Sequence, residues 1–135
     1  MGNDAMEEQL NFYEKKLAFE IDSWDLKVAM ESGESIIVID ARSPEAYLKE
    51  HIPGAINIPH RKMNEETIIG LSRTALVVAY CDGLGCNAST KGALKMTKLG
   101  FRVKELIGGL DWWKRDGHQT ECAASGSRAV VCGCE

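Results

Sequence analysis

The period of the apolar positions changes along this chain, and the changes mark out its elements. Near the N-terminus Met6, Leu10, Tyr13 and Leu17 recur at steps of four, three and four, the spacing that lines one side of a helix, with charged residues on the other sides. Such a stripe calls for a cover, either the body of its own domain or a second copy of the chain as a homodimer, and the pattern leaves both open. A strand is expected over 17–21, then a helix opened by Ser23 as N-cap, carrying Trp24 and residues 26–30, and closed by Gly33. Residues 35–39 predict a strand covered on both faces, since after Ser35 four apolar side chains follow on consecutive positions. Ser43, Pro44 and Glu45 read as the start of a short helix to about residue 50: a capping hydroxyl, a proline in the first turn and a carboxylate at the positive end. Residues 55–58, fenced by Pro53 and Pro59, predict an edge strand, and 64–71 a further helix. Residues 75–80 form the second fully buried strand, followed by a glycine-rich loop and a helix whose stripe of Gly92, Ala93, Met96 and Leu99 ends at Gly100. One more strand over 103–107, a turn at Gly108 and Gly109, and a last short helix over 111–115 complete the series.

Strands separated by helices predict an α/β fold with a small parallel sheet and helices on both faces, preceded by the N-terminal helix. The length of 135 residues fits one such domain, since domains run to roughly 100–200 residues. Sixteen basic against twenty acidic residues give a net charge of -4, which argues against nucleic acid as a partner. Asp4, Glu7 and Glu8 stand where a signal peptide needs basic residues, and no apolar run approaches the roughly 20 residues that span a bilayer. A cytoplasmic protein without a membrane partner is expected. In that compartment thiols stay reduced, and five cysteines cannot all pair within one chain, so the cysteines are read as thiols.

The chemistry gathers where the second buried strand ends. In open α/β sheets sites lie at the carboxyl ends of strands, and Cys81 is at such an end, directly before Asp82, Gly83, Leu84, Gly85, Cys86, Asn87, Ala88 and Ser89. Unpaired amides and the dipole of the following helix favour thiolate over thiol at Cys81, which predicts a nucleophile titrating below the free-cysteine value of about 8.5. Gly83 and Gly85, lacking Cβ, let the loop turn its amides inward as an anion nest, and Ser89 is placed to cap the helix or add a donor. Cysteine phosphatases also hold an oxyanion over a thiolate, but they require an arginine six residues after the cysteine, where this chain has Asn87.

Three segments carry a resemblance to a known family. Asp40-Ala-Arg42-Ser-Pro-Glu45-Ala-Tyr47, followed by His51-Ile-Pro-Gly-Ala-Ile-Asn-Ile-Pro59, resembles the signature of rhodanese-like domains. Tyr80-Cys81 with its loop falls where their active-site cysteine loop lies, and Gly108-Gly109-Leu-Asp-Trp-Trp113 is similar to their closing element. The resemblance spans about residues 21–117 and implies the parallel α/β rhodanese fold; the domain is set at 17–120, with 1–16 as a helical extension by its apolar period and 121–135, rich in Ala, Ser, Gly and Cys with little to bury, expected as a flexible, cysteine-containing tail. It further implies a sulfurtransferase in which Cys81 carries sulfane sulfur as a persulfide, the amides from Asp82 to Ser89 cradle it, and Asp40 with Arg42 supports the loop. The partners so implied are a small sulfur donor or a protein persulfide, and a thiol or cyanide-like acceptor, with no cofactor. Where active members commonly carry basic residues in a shorter loop, this loop contains Asp82 and no arginine or lysine. Thiosulfate is therefore expected to be a poor donor, with only Lys91 and Arg42 near enough in sequence or by analogy to offset its charge.

Two other classes stay open: a thiol redox protein using Cys81 and Cys86, and a rhodanese fold kept for binding with little turnover. His51 and His60 are read as structural, because sulfur transfer from a thiolate needs no histidine base. Trp112 and Trp113 are read as packing residues. Cys122, Cys132 and Cys134 form too weak a pattern for a metal site, and none is assigned.

Overall fold

The computed structural model describes residues 2–123 and 129–131, with side chains over 3–122. In chain order the elements are α1 (Gly2–Phe19), β1 (Glu20–Ile21), α2 (Ser23–Glu31), β2 (Ile36–Asp40), α3 (Pro44–Lys49), β3 (Ile56–Asn57), a 3-10 turn (His60–Lys62), β4 (Leu76–Tyr80), α4 (Ala88–Lys98), β5 (Arg102–Leu106), α5 (Gly109–Arg115), β6 (Glu121–Ala123) and β7 (Ala129–Val131). Five strands pair in parallel in the order β1-β5-β4-β2-β3, so β4 is central and β3 is an edge, as Pro53 and Pro59 predict. The register sets Asp40 beside Tyr80, which brings the carboxyl ends of β2 and β4 level.

Alternation along β2 and β4 explains their unbroken apolar runs. Val38, Val78 and Tyr80 enter one core with Leu26 of α2 and Leu110 and Trp113 of α5. Ile39 and Val77 enter the other with Met96 of α4, Met63 and Phe101. Each fully buried aliphatic side chain contributes about 1.5–3 kcal/mol, so the covered strands are the main source of stability. Trp113 is buried and donates Nε1–H to the Gln119 carbonyl at 2.8 Å, while Trp112 is part-exposed.

Four expectations need correction. The strand over 17–21 is mostly helix: α1 continues to Phe19, helped by a Lys16–Glu20 ion pair of 2.7 Å, and only two residues reach β5. Asp22, not Ser23, caps α2, its carboxylate accepting from the Asp25 amide at 2.8 Å; Ser23 is buried and its hydroxyl turns inward to Asp116 and His118. Residues 64–71 make successive turns, not a helix. The Asn64 side chain accepts from the amides of Glu66 and Thr67, and the Thr67 hydroxyl donates to the Lys62 carbonyl, local bonds that compete with a helical ladder. Finally, Glu121, expected to open a flexible tail, is a strand residue: its amide and carbonyl both bond His51, and β6 pairs antiparallel with β7.

Met6, Leu10, Tyr13 and Leu17 are each half or more exposed, so the described residues do not cover the α1 stripe. Among the described residues no helix is long and apolar enough to cross a membrane.

Candidate functional site

The loop after β4 is held from two sides. Leu110 and Asp111, at the start of α5, donate their amides to the carbonyls of Cys81 (2.9 Å) and Asp82 (2.8 Å). That close approach needs Gly109, which has φ +57° and where a Cβ would lie 2.2 Å from the Cys81 carbonyl oxygen. Of the two glycines read as a turn, Gly109 thus also docks the cysteine loop, while the space at Gly108 is closed by Trp112. Gly83 is closely packed as well: a Cβ there would meet the Asp111 Cβ at 3.3 Å, a contact that a shift of a few tenths of an ångström would relieve. Gly85 has open space around it, and neither loop glycine adopts a left-handed φ, so the predicted nest is not built from them.

From the end of β2 comes the second support. Asp40 is fully buried and grips Arg42 through Nε (2.9 and 3.1 Å), Nη2 (2.6 Å) and the backbone amide (2.9 Å), while also accepting from the Tyr80 hydroxyl at 2.7 Å. Arg42 further donates from Nη1 to Asp82 Oδ1 (3.0 Å) and from Nη2 to the Glu50 carbonyl (2.6 Å). Burial works against the charged guanidinium, yet Asp40 outweighs it and holds the group charged above its usual range. Burial, with Asp40 alongside, pushes the Tyr80 phenol up, so it stays a donor. The structure therefore brings Asp40, Arg42 and Asp82 together at the loop, with every guanidinium nitrogen engaged.

Cys81 itself is 1% exposed. Its thiol is directed at the Cys86 carbonyl (3.2 Å) and the Ser89 hydroxyl (3.3 Å), with the Gly83 carbonyl farther off at 3.9 Å. Burial raises its pKa and the neighbouring Cys86 adds to that, against the hydroxyl and amide of Ser89. For Cys86 partial burial also pushes up, but the Ala88 amide, the Cys81 thiol and the Asp82 amide together bring it below the ordinary value. The sequence expectation of a lowered Cys81 is thus reversed. The loop amides are divided between two sulfurs, and carbonyl oxygens crowd the deeper one.

The rest of the predicted loop is distributed around these thiols. Leu84 is exposed at the crown. Asn87 stands at the N-cap of α4 without a side-chain capping bond, Ala88 begins the helix, and Lys91 on its first turn is exposed. Ser89 is not a cap: it is buried inside α4 and bonds Cys81 and Glu105. Glu105, on β5, escaped the sequence reading. Its Oε2 accepts from the hydroxyls of Ser89 (2.7 Å) and Thr90 (2.6 Å). The signal available was a charged residue near the carboxyl end of a strand just before the glycine pair. A cleft of about 500 Å³ opens beside the loop, lined by Lys16, Glu20, Leu84, Cys86, Ser89 and Glu105 among others.

His51 and His60 form no bond with Cys81. His51 stacks on Tyr47 at 3.8 Å and its Nδ1 lies 2.7 Å from the Tyr47 carbonyl. His60, in the 3-10 turn, is held below its ordinary pKa by burial and by Lys95, and its buried Nδ1 has no partner. Among the described residues no cluster of histidine, cysteine and carboxylate is arranged to hold a metal. Cys122 is a free thiol, and Cys132 and Cys134 lie outside the described residues.

Comparison with known proteins points the same way as this geometry. A protein of Bacillus halodurans, BH2092, has a crystal structure that superposes with a TM-score of 0.82 at 46% identity, covering 86% of this chain and 85% of that one. The thiosulfate sulfurtransferase PspE of Escherichia coli is 34% identical over 73 residues, which are 53% of this chain and 68% of that protein. An HTH-type transcriptional regulator of Mycobacterium tuberculosis, Rv0324, is 34% identical over 87 residues. The chain spans 38% of that regulator's length and 54% of that of an uncharacterized protein of Buchnera aphidicola. Residues 24–116 match the model of the rhodanese-like domain, a stretch that contains β2, the whole cysteine loop, β5 and α5, and the chain belongs to the rhodanese-like domain family.

Proposed function

We propose that the protein is a sulfurtransferase in which Cys81 carries sulfane sulfur as a persulfide. The observation that supports this most is the position of Cys81: a buried thiol at the carboxyl end of the central strand, under a loop that is clamped by α5 and by Arg42 and that itself lines a cleft. Likeness to a thiosulfate sulfurtransferase adds to it. In the first half-reaction the Cys81 thiolate attacks the outer sulfur of a donor R–S–S⁻. The Sγ–S bond forms, the donor's S–S bond breaks and R–S⁻ leaves. In the second, an acceptor thiolate or cyanide-like anion attacks the outer sulfur of the persulfide, and Cys81 departs as thiolate. One neutral sulfur atom moves in each half, so no oxidant or reductant is consumed.

The donor we favour is a persulfide, free or on another protein, over thiosulfate. Every nitrogen of Arg42 is engaged, and the loop offers no other cation. Each charge-assisted contact forgone is worth about 1.5–3 kcal/mol, roughly ten- to a hundredfold in affinity. A second reading is supported by the contact of Cys81 with the Cys86 segment: the Cys86 thiolate attacks Sγ of persulfidated Cys81, forms a disulfide and expels HS⁻.

Mass spectrometry of the full chain, after exposure to thiosulfate and separately to a small persulfide, tests both. A gain of one sulfur on Cys81, absent in Cys81→Ser while that variant keeps the native circular dichroism, is the expected result. A Cys81–Cys86 disulfide in its place favours the redox reading, and sulfur loading of Cys81→Ser to the native level overturns the assignment.

A further inference from the structure

We propose that Glu105 is a positioning residue that controls the protonation of Cys81 through the hydroxyl of Ser89. Ser89 has one hydroxyl proton and two neighbours that compete for its oxygen's geometry, Glu105 Oε2 at 2.7 Å and Cys81 Sγ at 3.3 Å. An ionised carboxylate only accepts, so the Ser89 proton belongs to Glu105, and the Ser89 oxygen is left to accept from the Cys81 thiol. The chain of bonds then runs in one direction, from Cys81 to Ser89 to Glu105, and it suits the thiol.

A thiolate at the same place needs the opposite arrangement. To stabilise it, the Ser89 proton must turn from Glu105 to the sulfur, giving up a charge-assisted bond. Ser89 is 3% exposed, so water does not readily take over either role. Thr90 donates to the same Oε2 at 2.6 Å but has no bond to Cys81, so it anchors the carboxylate while Ser89 alone joins it to the sulfur. The placement of Glu105 is fixed by the sheet: it pairs with Ala79 of β4 on one side and Glu20 of β1 on the other.

Other charged or titratable groups surround the loop, and substitution of Glu105 leaves them in place. Cys86 and Asp82 belong to the loop, and Asp82 is paired with Arg42 from the end of β2. Asp111 of α5 packs against Gly83, Lys91 is on α4, and Lys16 and Glu20 line the cleft from α1 and β1. Only Glu105 is linked to the sulfur by a single shared hydroxyl among the described residues.

The consequence for turnover rests on the sulfur-carrier reading, whereas the protonation claim does not. Alkylation of Cys81 is therefore followed against pH in the full chain, resolved from Cys86 by peptide mass spectrometry. In Glu105→Gln the midpoint for Cys81 is expected to fall by about one pH unit, a tenfold gain in thiolate below both midpoints. In Ser89→Ala the further change to Glu105→Gln should move it little, and Thr90→Val alone should leave it at the native value. Glu105→Asp keeps the charge but withdraws it from Ser89, and it should lower the midpoint too if the glutamine variant does not fold. An unchanged Cys81 midpoint in folded Glu105→Gln or Glu105→Asp overturns the proposal, as does an undiminished shift in the Ser89→Ala background. Failure of Cys81 to gain sulfur in any of these proteins, with the midpoint shifted, overturns the carrier reading and leaves the role of Glu105 standing.

Discussion

At the scale of single residues, two thiols in one loop are given different surroundings by a few backbone groups. Cys81 is enclosed by carbonyl oxygens, and burial pushes its thiol up, with Cys86 reinforcing the effect. Cys86, though also pushed up by partial burial, gains the amides of Ala88 and Asp82 and ends below its ordinary value. A group held up stays protonated to higher pH, and a group held down ionises earlier. Site-resolved alkylation at rising pH should therefore modify Cys86 first and Cys81 later, and a Cys81 midpoint below that of Cys86 would contradict this account. The position of Cys81 was legible because strand, glycine-rich loop and helix follow in sequence. Its protonation was not, because the direction of the Gly83 and Cys86 carbonyls and the reach of Glu105 from β5 are tertiary facts with no local pattern.

Elements show how far local patterns carry. Ser43 caps α3 and Pro44 occupies its first turn, as their order implies. At α2 the neighbouring Asp22 takes the cap, because Ser23 finds partners in the half-buried Asp116 and the buried His118, more than ninety residues away. The glycines divide in the same manner. Gly85 looks like a loop requirement but has open space around it, whereas Gly109 sits in a left-handed conformation against the Cys81 carbonyl. Gly109→Ala is expected to lower thermal stability and to slow sulfur loading of Cys81, since strain of this kind costs about 1–3 kcal/mol and the clash displaces the loop. Gly85→Ala should leave both near native. Thermal melts combined with the mass-spectrometric loading assay distinguish the two, and equal effects would show that the α5 contact does not position the loop.

For the whole molecule, the sheet was legible because a parallel strand covered on both faces must be apolar at successive positions, as β2 and β4 are. The electrostatic setting of the cleft required the fold. Glu20 and Glu105 are far apart in sequence but adjacent in register, and with Glu105 accepting only from hydroxyls their side of the cleft carries little compensating charge beyond the Lys16–Glu20 pair. The chain as a whole is at -4. Thiosulfate, a dianion, must approach this surface with Arg42 already engaged, so like-charge repulsion should slow its encounter with Cys81. Salt screens such repulsion: the Debye length falls from about 30 Å at 0.01 M to about 8 Å at 0.15 M. Loading of Cys81 by thiosulfate is therefore expected to speed up across that range, and loading by a persulfide of lower charge to change less. Leu84→Arg, at an exposed crown position that tolerates the longer side chain, should raise thiosulfate loading specifically and flatten its salt dependence. Thiosulfate loading that slows with added salt in the native chain, or an equal gain for both donors in Leu84→Arg, would mean that the approach is governed by contacts at the sulfur and not by the field of the cleft.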